Sequence, residues 1–231
     1  MKKVKKYGKT ILVLICTLIG SYGILTAPKS DKKALEQELL KNQQILQQTN
    51  SIARAKAKPQ KGSVPQAKEK NAGKKPATVS VIGDSIFLGA APAFQKIQKN
   101  AIIDAKISRQ VYQGIHVAKK MKKKGKLGDI VIISLGTNGK FNPATGEKLI
   151  NCIGKKRNIY WITAYGKNLS WQKEVNTAIQ KLADKNKNVH VIPWAKEAKN
   201  HPDWFYQDGT HLNTKGQDEF SRFIKKQITV P

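Results

Sequence analysis

The stretch Thr78-Val79-Ser80-Val81-Ile82-Gly83-Asp84-Ser85 decides how the rest of the chain is read. It is short, rich in β-branched and apolar residues, and closed by glycine, which fits a buried strand of a parallel sheet better than a helix. Phe87, Leu88, Ala91, Phe94 and Ile97 then recur at helical spacing, so the chain returns across the sheet as a helix. Ligand chemistry on such sheets lies beyond the carboxyl ends of the strands. The Ser85 hydroxyl is therefore expected at the sheet edge in front of a helix N-terminus, where developing negative charge is favoured. Gly-Asp-Ser alone is a weak signal, because Asp and Ser are also common helix caps.

Working outward, further apolar strands are expected near 102–107, 130–135, 158–163 and 189–193. Between them Val175, Ala178, Ile179 and Leu182 mark a helix with Ser170 as its N-cap, and Phe220, Phe223 and Ile224 mark a last one. Repeated strand-helix units predict an α/β fold over 77–231, a three-layer α/β/α sandwich with a central parallel sheet. Only two cysteines are present, Cys16 in an apolar N-terminal run and Cys152 on a predicted helix, so no disulfide framework is expected and Cys152 reads as a small core residue.

Two later segments supply chemistry for Ser85. The strand ending at Leu135 runs into Gly136-Thr137-Asn138, and Asp208-Gly209-Thr210-His211 precedes the last helix. Serine is a poor nucleophile unless a base takes its proton, and His211 is the candidate base. The three-residue spacing lets Asp208 hold one ring nitrogen while the other faces the serine. The plainer reading of Asp-Gly is a surface turn, and that of Asn138 a cap after a strand. Taken as a site, the Asn138 side-chain amide and the Ser85 backbone N–H are donors for an oxyanion. His116, His190 and His201 lack metal-ligand spacing, so no metal or cofactor is expected. Trp204, Phe205 and Tyr206 read as core and rim aromatics, with a place in a sugar-binding cleft as the sharper alternative.

These segments resemble blocks I, III and V of the SGNH (GDSL-type) hydrolases, over most of residues 77–231. The resemblance implies a catalytic Ser85, Asp208 and His211, with Ser85 and Asn138 in the oxyanion hole. That family usually takes a third donor from a block II glycine. Here Asp104-Ala105-Lys106-Ile107-Ser108-Arg109-Gln110 has none, which leaves the backbone of Arg109, or of the later Gly114. Asp104-Ala105-Lys106, Ser108-Arg109-Gln110, Trp171 to Asn176 and Asp208 to Leu212 further resemble the extracytoplasmic SGNH domain of Gram-positive peptidoglycan O-acetyltransferases. That resemblance implies a cell-wall glycan substrate and an O-acetyltransferase or acetylesterase with an acyl-serine intermediate. Those proteins carry a many-helix membrane domain upstream, where this sequence has a single apolar run. A separate membrane acyl-donor protein would then supply the acetyl group, or the enzyme removes it.

The formal net charge is +28, with 17 basic against 4 acidic residues in 1–76 and 26 against 11 in the remainder. Such an excess favours anionic partners. The lysines run together without interleaved aromatics, so nucleic acid is not the expected partner. Residues 1–9 read as a basic cytoplasmic segment, 10–27 as a transmembrane signal anchor, and 28–76 as a linker, first helical and then disordered and basic. This places the catalytic domain outside a single-pass cell membrane, with secretion after signal cleavage as the alternative. The basic linker would meet anionic wall polymers or lipid headgroups. Leu35, Leu39 and Leu46 lie near heptad spacing, but Asn42 and Thr49 interrupt that seam with polar groups, which argues against a stable coiled coil. The rival to an enzyme is a non-catalytic cell-wall or membrane-binding protein built on the same fold.

Overall fold

The computed structural model describes residues 29–56 and 77–228. The basic segment at 1–9, the anchor expected over 10–27 and the tether expected over 57–76 lie outside them. No helix among the described residues is long and apolar enough to cross a membrane.

Strand β1 (Val79–Gly83) lies between β2 (Ile102–Ala105) and β3 (Ile130–Ser134), and β4 (Asn158–Ile162) and β5 (Val189–Ile192) continue the sheet beyond β3. Every pairing is parallel, as predicted, and Ile82 faces Asp104 on one side and Ile133 on the other. Strand side chains alternate between two cores, as the pleat demands. Val81, Ile132 and Ile162 pack on one face under α1 (Lys29–Lys56), α2 (Ser85–Ile97) and α7 (Thr214–Gln227). Ile82, Ile133 and Trp161 pack on the other under α3 (Val111–Lys123), α4 (Pro143–Ile153) and α5 (Gln172–Lys185). A short helix, α6 (Trp194–Ala198), follows β5 on the first face.

The chain leaves β1 toward one face and β3 toward the other, since α2 and α4 belong to different cores. A reversal of this kind opens a crevice at the carboxyl ends of the two strands. Gly83 closes β1 where a Cβ would lie 2.6 Å from the Cβ of Phe87, so only glycine lets the chain turn this tightly into α2.

Two local expectations are corrected. Helix α5 starts two residues after Ser170, with Trp171 at the cap position and no side-chain cap bond. Its start is fixed from inside instead. The Gln172 side chain accepts from Gly166 N–H, and Asn176 exchanges two hydrogen bonds with Ala164 at 2.8 and 2.9 Å. Cys152 is half-buried at the margin of the second core rather than enclosed by it.

The helix expected in the first part of the linker is α1, and it packs on the domain. Leu35, Leu39 and Leu46 are buried in the core that contains α2 and α7. Asn42, the polar break in their seam, is also buried and donates from Nδ2 to the carbonyls of Leu88 (3.2 Å) and Gly89 (3.1 Å). The reason lies in α2, which has Pro92 in its interior. Proline has no N–H to give to the carbonyl four residues earlier, and that carbonyl belongs to Leu88. An acceptor left unpaired in a core costs about 1–3 kcal/mol. Asn42 fills this deficit, so a residue that spoils a coiled coil suits docking on a proline-containing helix.

Leu39 is 1% exposed. Leu39→Ala is expected to lower unfolding stability by about 2–5 kcal/mol, measured by chemical denaturation of the full chain. An α1 that stood free of the domain would give no change.

Candidate active site

Ser85 is the first residue of α2, where a backbone N–H has no acceptor within the helix. Asp84 caps this helix through Oδ1, which accepts from Ile86 N–H at 3.0 Å, while its own N–H donates to the Ser134 carbonyl at the end of β3. The turn from Gly83 to Ser85 is thereby tied to both neighbouring strands, since Lys106 N–H also donates to the Gly83 carbonyl.

The loop before α7 brings the imidazole from the far end of the domain. His211 Nε2 lies 3.0 Å from Ser85 Oγ, and His211 Nδ1 lies 2.6 Å from Asp208 Oδ2. The second carboxylate oxygen of Asp208 accepts the backbone N–H groups of Thr210 (2.8 Å) and His211 (2.9 Å). Asp208 is thus held by its own loop as it orients the ring. Gly209 makes the reversal possible with φ +62°, a left-handed backbone that glycine adopts without strain. All three side chains are buried or nearly so. Burial works to raise the Asp208 pKa, but the hydrogen bond and charge of His211 and the two backbone donors outweigh it and hold the carboxyl below its ordinary value.

Asn138 reaches the same place from the loop after β3. Its Nδ2 donates to Asp84 Oδ2 at 3.2 Å and, at a longer 3.4 Å, to the Arg109 carbonyl. The Arg109 N–H, expected as a third donor, is directed at the Lys106 carbonyl at 3.3 Å. Its guanidinium is locked inward on the carbonyls of Gly83 and Asp104 and pairs with the Asp104 carboxylate at 2.6 Å. Arg109 thus braces the end of β1, and Ser108 before it holds φ +57°, a conformation uncommon for residues other than glycine. Gly114 is packed in α3, where a Cβ would meet Leu135 at 2.8 Å.

Asp84 is the residue whose second contact spacing did not disclose, because its partner Asn138 lies 54 positions away. It is wholly buried. Desolvation raises its pKa to about 6, against the opposing pull of the Ile86 N–H, His211 and Arg109. The aromatics before the Asp208–His211 loop turn inward: Trp204 stacks on Trp194 and on His201, Phe205 packs on Tyr165, and Tyr206 is half-buried with its hydroxyl on Glu38. His116 lies on α3, and the His190 ring packs against Tyr160.

What the arrangement can do is general-base activation of a serine hydroxyl beside a carboxamide and a helix N-terminus, the requirements of acyl transfer through a covalent intermediate. No family model matches the chain. It is 34% identical over 155 residues to the Bacillus subtilis protein YrhL, covering 65% of this chain and 24% of that protein. It is 32% identical over 149 residues to the Staphylococcus aureus O-acetyltransferase OatA, covering 64% and 24% respectively. The chain therefore matches only about a quarter of the length of these relatives. Among solved structures, the C-terminal catalytic domain of Streptococcus pneumoniae peptidoglycan O-acetyltransferase A, bearing a methylsulfonyl adduct, superposes with a TM-score of 0.57 at 22% identity, over 64% of this chain and 90% of that one. A Veillonella parvula member of the lipolytic G-D-S-L family gives 0.56 at 16% identity, over 67% and 99%.

The raised Asp84 pKa has a signed consequence. Between the ordinary carboxyl pKa, about 4, and the folded value of about 6, the unfolded chain has lost a proton that the folded one keeps, so stability falls as pH rises through this window and levels off above it. Asp84→Asn is expected to remove that slope, measured by denaturation at a series of pH values from about 4 to about 7.

Proposed function

We propose that the chain is a member of the SGNH (GDSL-type) hydrolase superfamily and that it moves an acyl group, most simply acetyl, on or off a hydroxyl of cell-wall glycan by way of an acyl-Ser85 intermediate. The observation that carries this reading is the continuous relay from Ser85 Oγ through the His211 ring to the Asp208 carboxylate, at 3.0 and 2.6 Å.

In the first half-reaction Ser85 Oγ attacks the acyl carbonyl as His211 Nε2 takes its proton, and Asp208 stabilises the imidazolium through Nδ1. The tetrahedral oxyanion would rest on the Ser85 N–H, with the positive end of α2 behind it, and on the Asn138 amide. Of the two Asn138 bonds, the longer one, to the Arg109 carbonyl, is the one an oxyanion would displace. Asp84 holds the amide in place from the other side. The leaving alcohol takes the proton back from His211, and the acyl-serine is then resolved either by a glycan hydroxyl or by water. The names of the relatives favour transfer to peptidoglycan. Anchoring of the chain in the membrane through 10–27, with the domain outside the cell, a separate membrane protein as acyl donor and the basic linker on anionic wall polymers or lipid headgroups, completes the proposal.

The test is hydrolysis of an aryl acetate by the full chain in detergent. Ser85→Ala and His211→Ala are each expected to lower the rate at least about 1,000-fold, and Asn138→Ala about 100-fold. Intact mass should show an acetyl adduct on wild type that is absent from Ser85→Ala. Wild-type protein with neither adduct nor Ser85-dependent turnover would leave the non-catalytic binding reading in its place. Mass spectrometry of glycan incubated with an acetyl donor distinguishes transfer from hydrolysis.

A further inference from the structure

From its contacts we infer that α1 is a working part of the active site, and that Glu38 is a positioning residue that sets His211. The inference rests on the acyl-serine reading for its catalytic consequence and on geometry alone for its structural one.

The Glu38 carboxylate bridges two residues on either side of the Asp208–His211 loop. Its Oε2 accepts from the Tyr206 hydroxyl at 2.7 Å, and its Oε1 accepts from Gln217 Nε2. Both partners continue into the loop. Tyr206 N–H donates to the His211 carbonyl at 2.8 Å, and the Tyr206 carbonyl accepts from Gly209 N–H at 2.8 Å. Gln217 Nε2 also donates to the Leu212 carbonyl at 3.0 Å, and Leu212 pairs with Phe205 in an antiparallel bridge. The backbone that sets the His211 ring is thus gripped from below on both arms, Tyr206 on one and Leu212 on the other, by a single carboxylate lying 168 or more positions earlier in the chain.

A carboxylate on a loose helix would hold nothing. Glu38 sits one helical turn before Asn42, so the anchored Asn42 amide and the buried Leu35 and Leu39 on either side restrict where it can go. Two bonded acceptor oxygens meeting two side-chain donors is the arrangement that fixes orientation as well as distance, and a serine–histidine relay tolerates little displacement. The sequence separation also explains why no motif announces Glu38: the residues around it read as an ordinary polar helix.

The test compares the full-length wild type with Glu38→Ala, Glu38→Gln and, as a control on the same helix, the exposed Glu36→Ala. Two readouts are taken. Backbone hydrogen exchange at Tyr206, Gly209 and His211 reports the loop itself, and the rate of Ser85 modification by a sulfonyl fluoride, followed by mass, reports the relay. In that modification the Ser85 Oγ–S bond forms, the S–F bond breaks, fluoride leaves and the proton passes to His211. Glu38→Ala is expected to speed exchange at these three amides and to slow Ser85 sulfonylation by about tenfold or more, with exchange in β1 and β3 unchanged. Glu38→Gln, which keeps one acceptor, should fall between, and Glu36→Ala should match wild type. Should Glu38→Ala not fold, Tyr206→Phe removes one of the two bonds and carries the same comparison. Unchanged exchange in Glu38→Ala overturns the inference, and so does faster exchange with unchanged sulfonylation, which would make the bridge structural only. A wild-type Ser85 that takes no sulfonyl group would sink the acyl-serine reading instead, while the exchange rates would still decide whether Glu38 braces the loop.

Discussion

The 3.0 Å between His211 Nε2 and Ser85 Oγ spans 126 residues of chain, and much of the architecture serves to hold it. On one side, β1 must end at the rim of the sheet and turn at once into α2, which Gly83 permits and Asp84 caps. On the other, the last loop must fold back over that rim, which the Gly209 turn and the Phe205–Leu212 bridge achieve before α7 returns to the core. Neither side is held by local structure alone. The Ser85 turn is tied to β2 and β3 by backbone hydrogen bonds and by the inward-facing Arg109, and the His211 loop is tied to α1.

Burial is the second constraint. Asp84, Ser85, Arg109, Asn138, Asp208 and His211 form a polar cluster with little access to water, where each polar atom needs a partner. Among the described residues, no buried side-chain nitrogen or oxygen lacks one. The same rule accounts for Asn42: an apolar helix carrying a proline needs a donor from outside, and α1 supplies it. A satisfied polar network of this kind costs little while intact and a good deal when one member is removed. It also sets the electrostatics. Two carboxylates of the cluster are driven in opposite directions, Asp84 upward by desolvation and Asp208 downward by the imidazole and the backbone donors that surround it.

The layered fold was legible because its signals are local and repeated. Five runs of Val, Ile and their like, each closed by a polar or glycine-containing turn, can only be buried strands, and the amphipathic stretches between them can only cover the sheet. Ser85, Asn138, Asp208 and His211 were legible for a related reason: each ends a strand or precedes a helix, and parallel topology collects such positions at one rim. Arg109 was placed beside the site, but the role of its side chain was not visible, because the acceptors for a guanidinium are backbone carbonyls that sequence does not distinguish. The start of α5 was read from the side chain of Ser170, whereas the bonds that decide it run from Gln172 and Asn176 into a neighbouring loop.

The sequence by itself therefore determined the class of fold, the strand order along the chain and the residue types available for acyl chemistry, since these follow from periodicity and from which groups can act as nucleophile, base and donor. Only the tertiary structure decided that α1 belongs to the domain, that Asn42 answers Pro92, that Asp84 holds Asn138, and that Glu38 grips the loop of His211. Each of these is a pairing of single polar groups far apart in the chain. Hydrophobic periodicity says that a face will be buried, but which carbonyl a buried amide will meet depends on how two elements are set against one another, and no pattern along one of them records it.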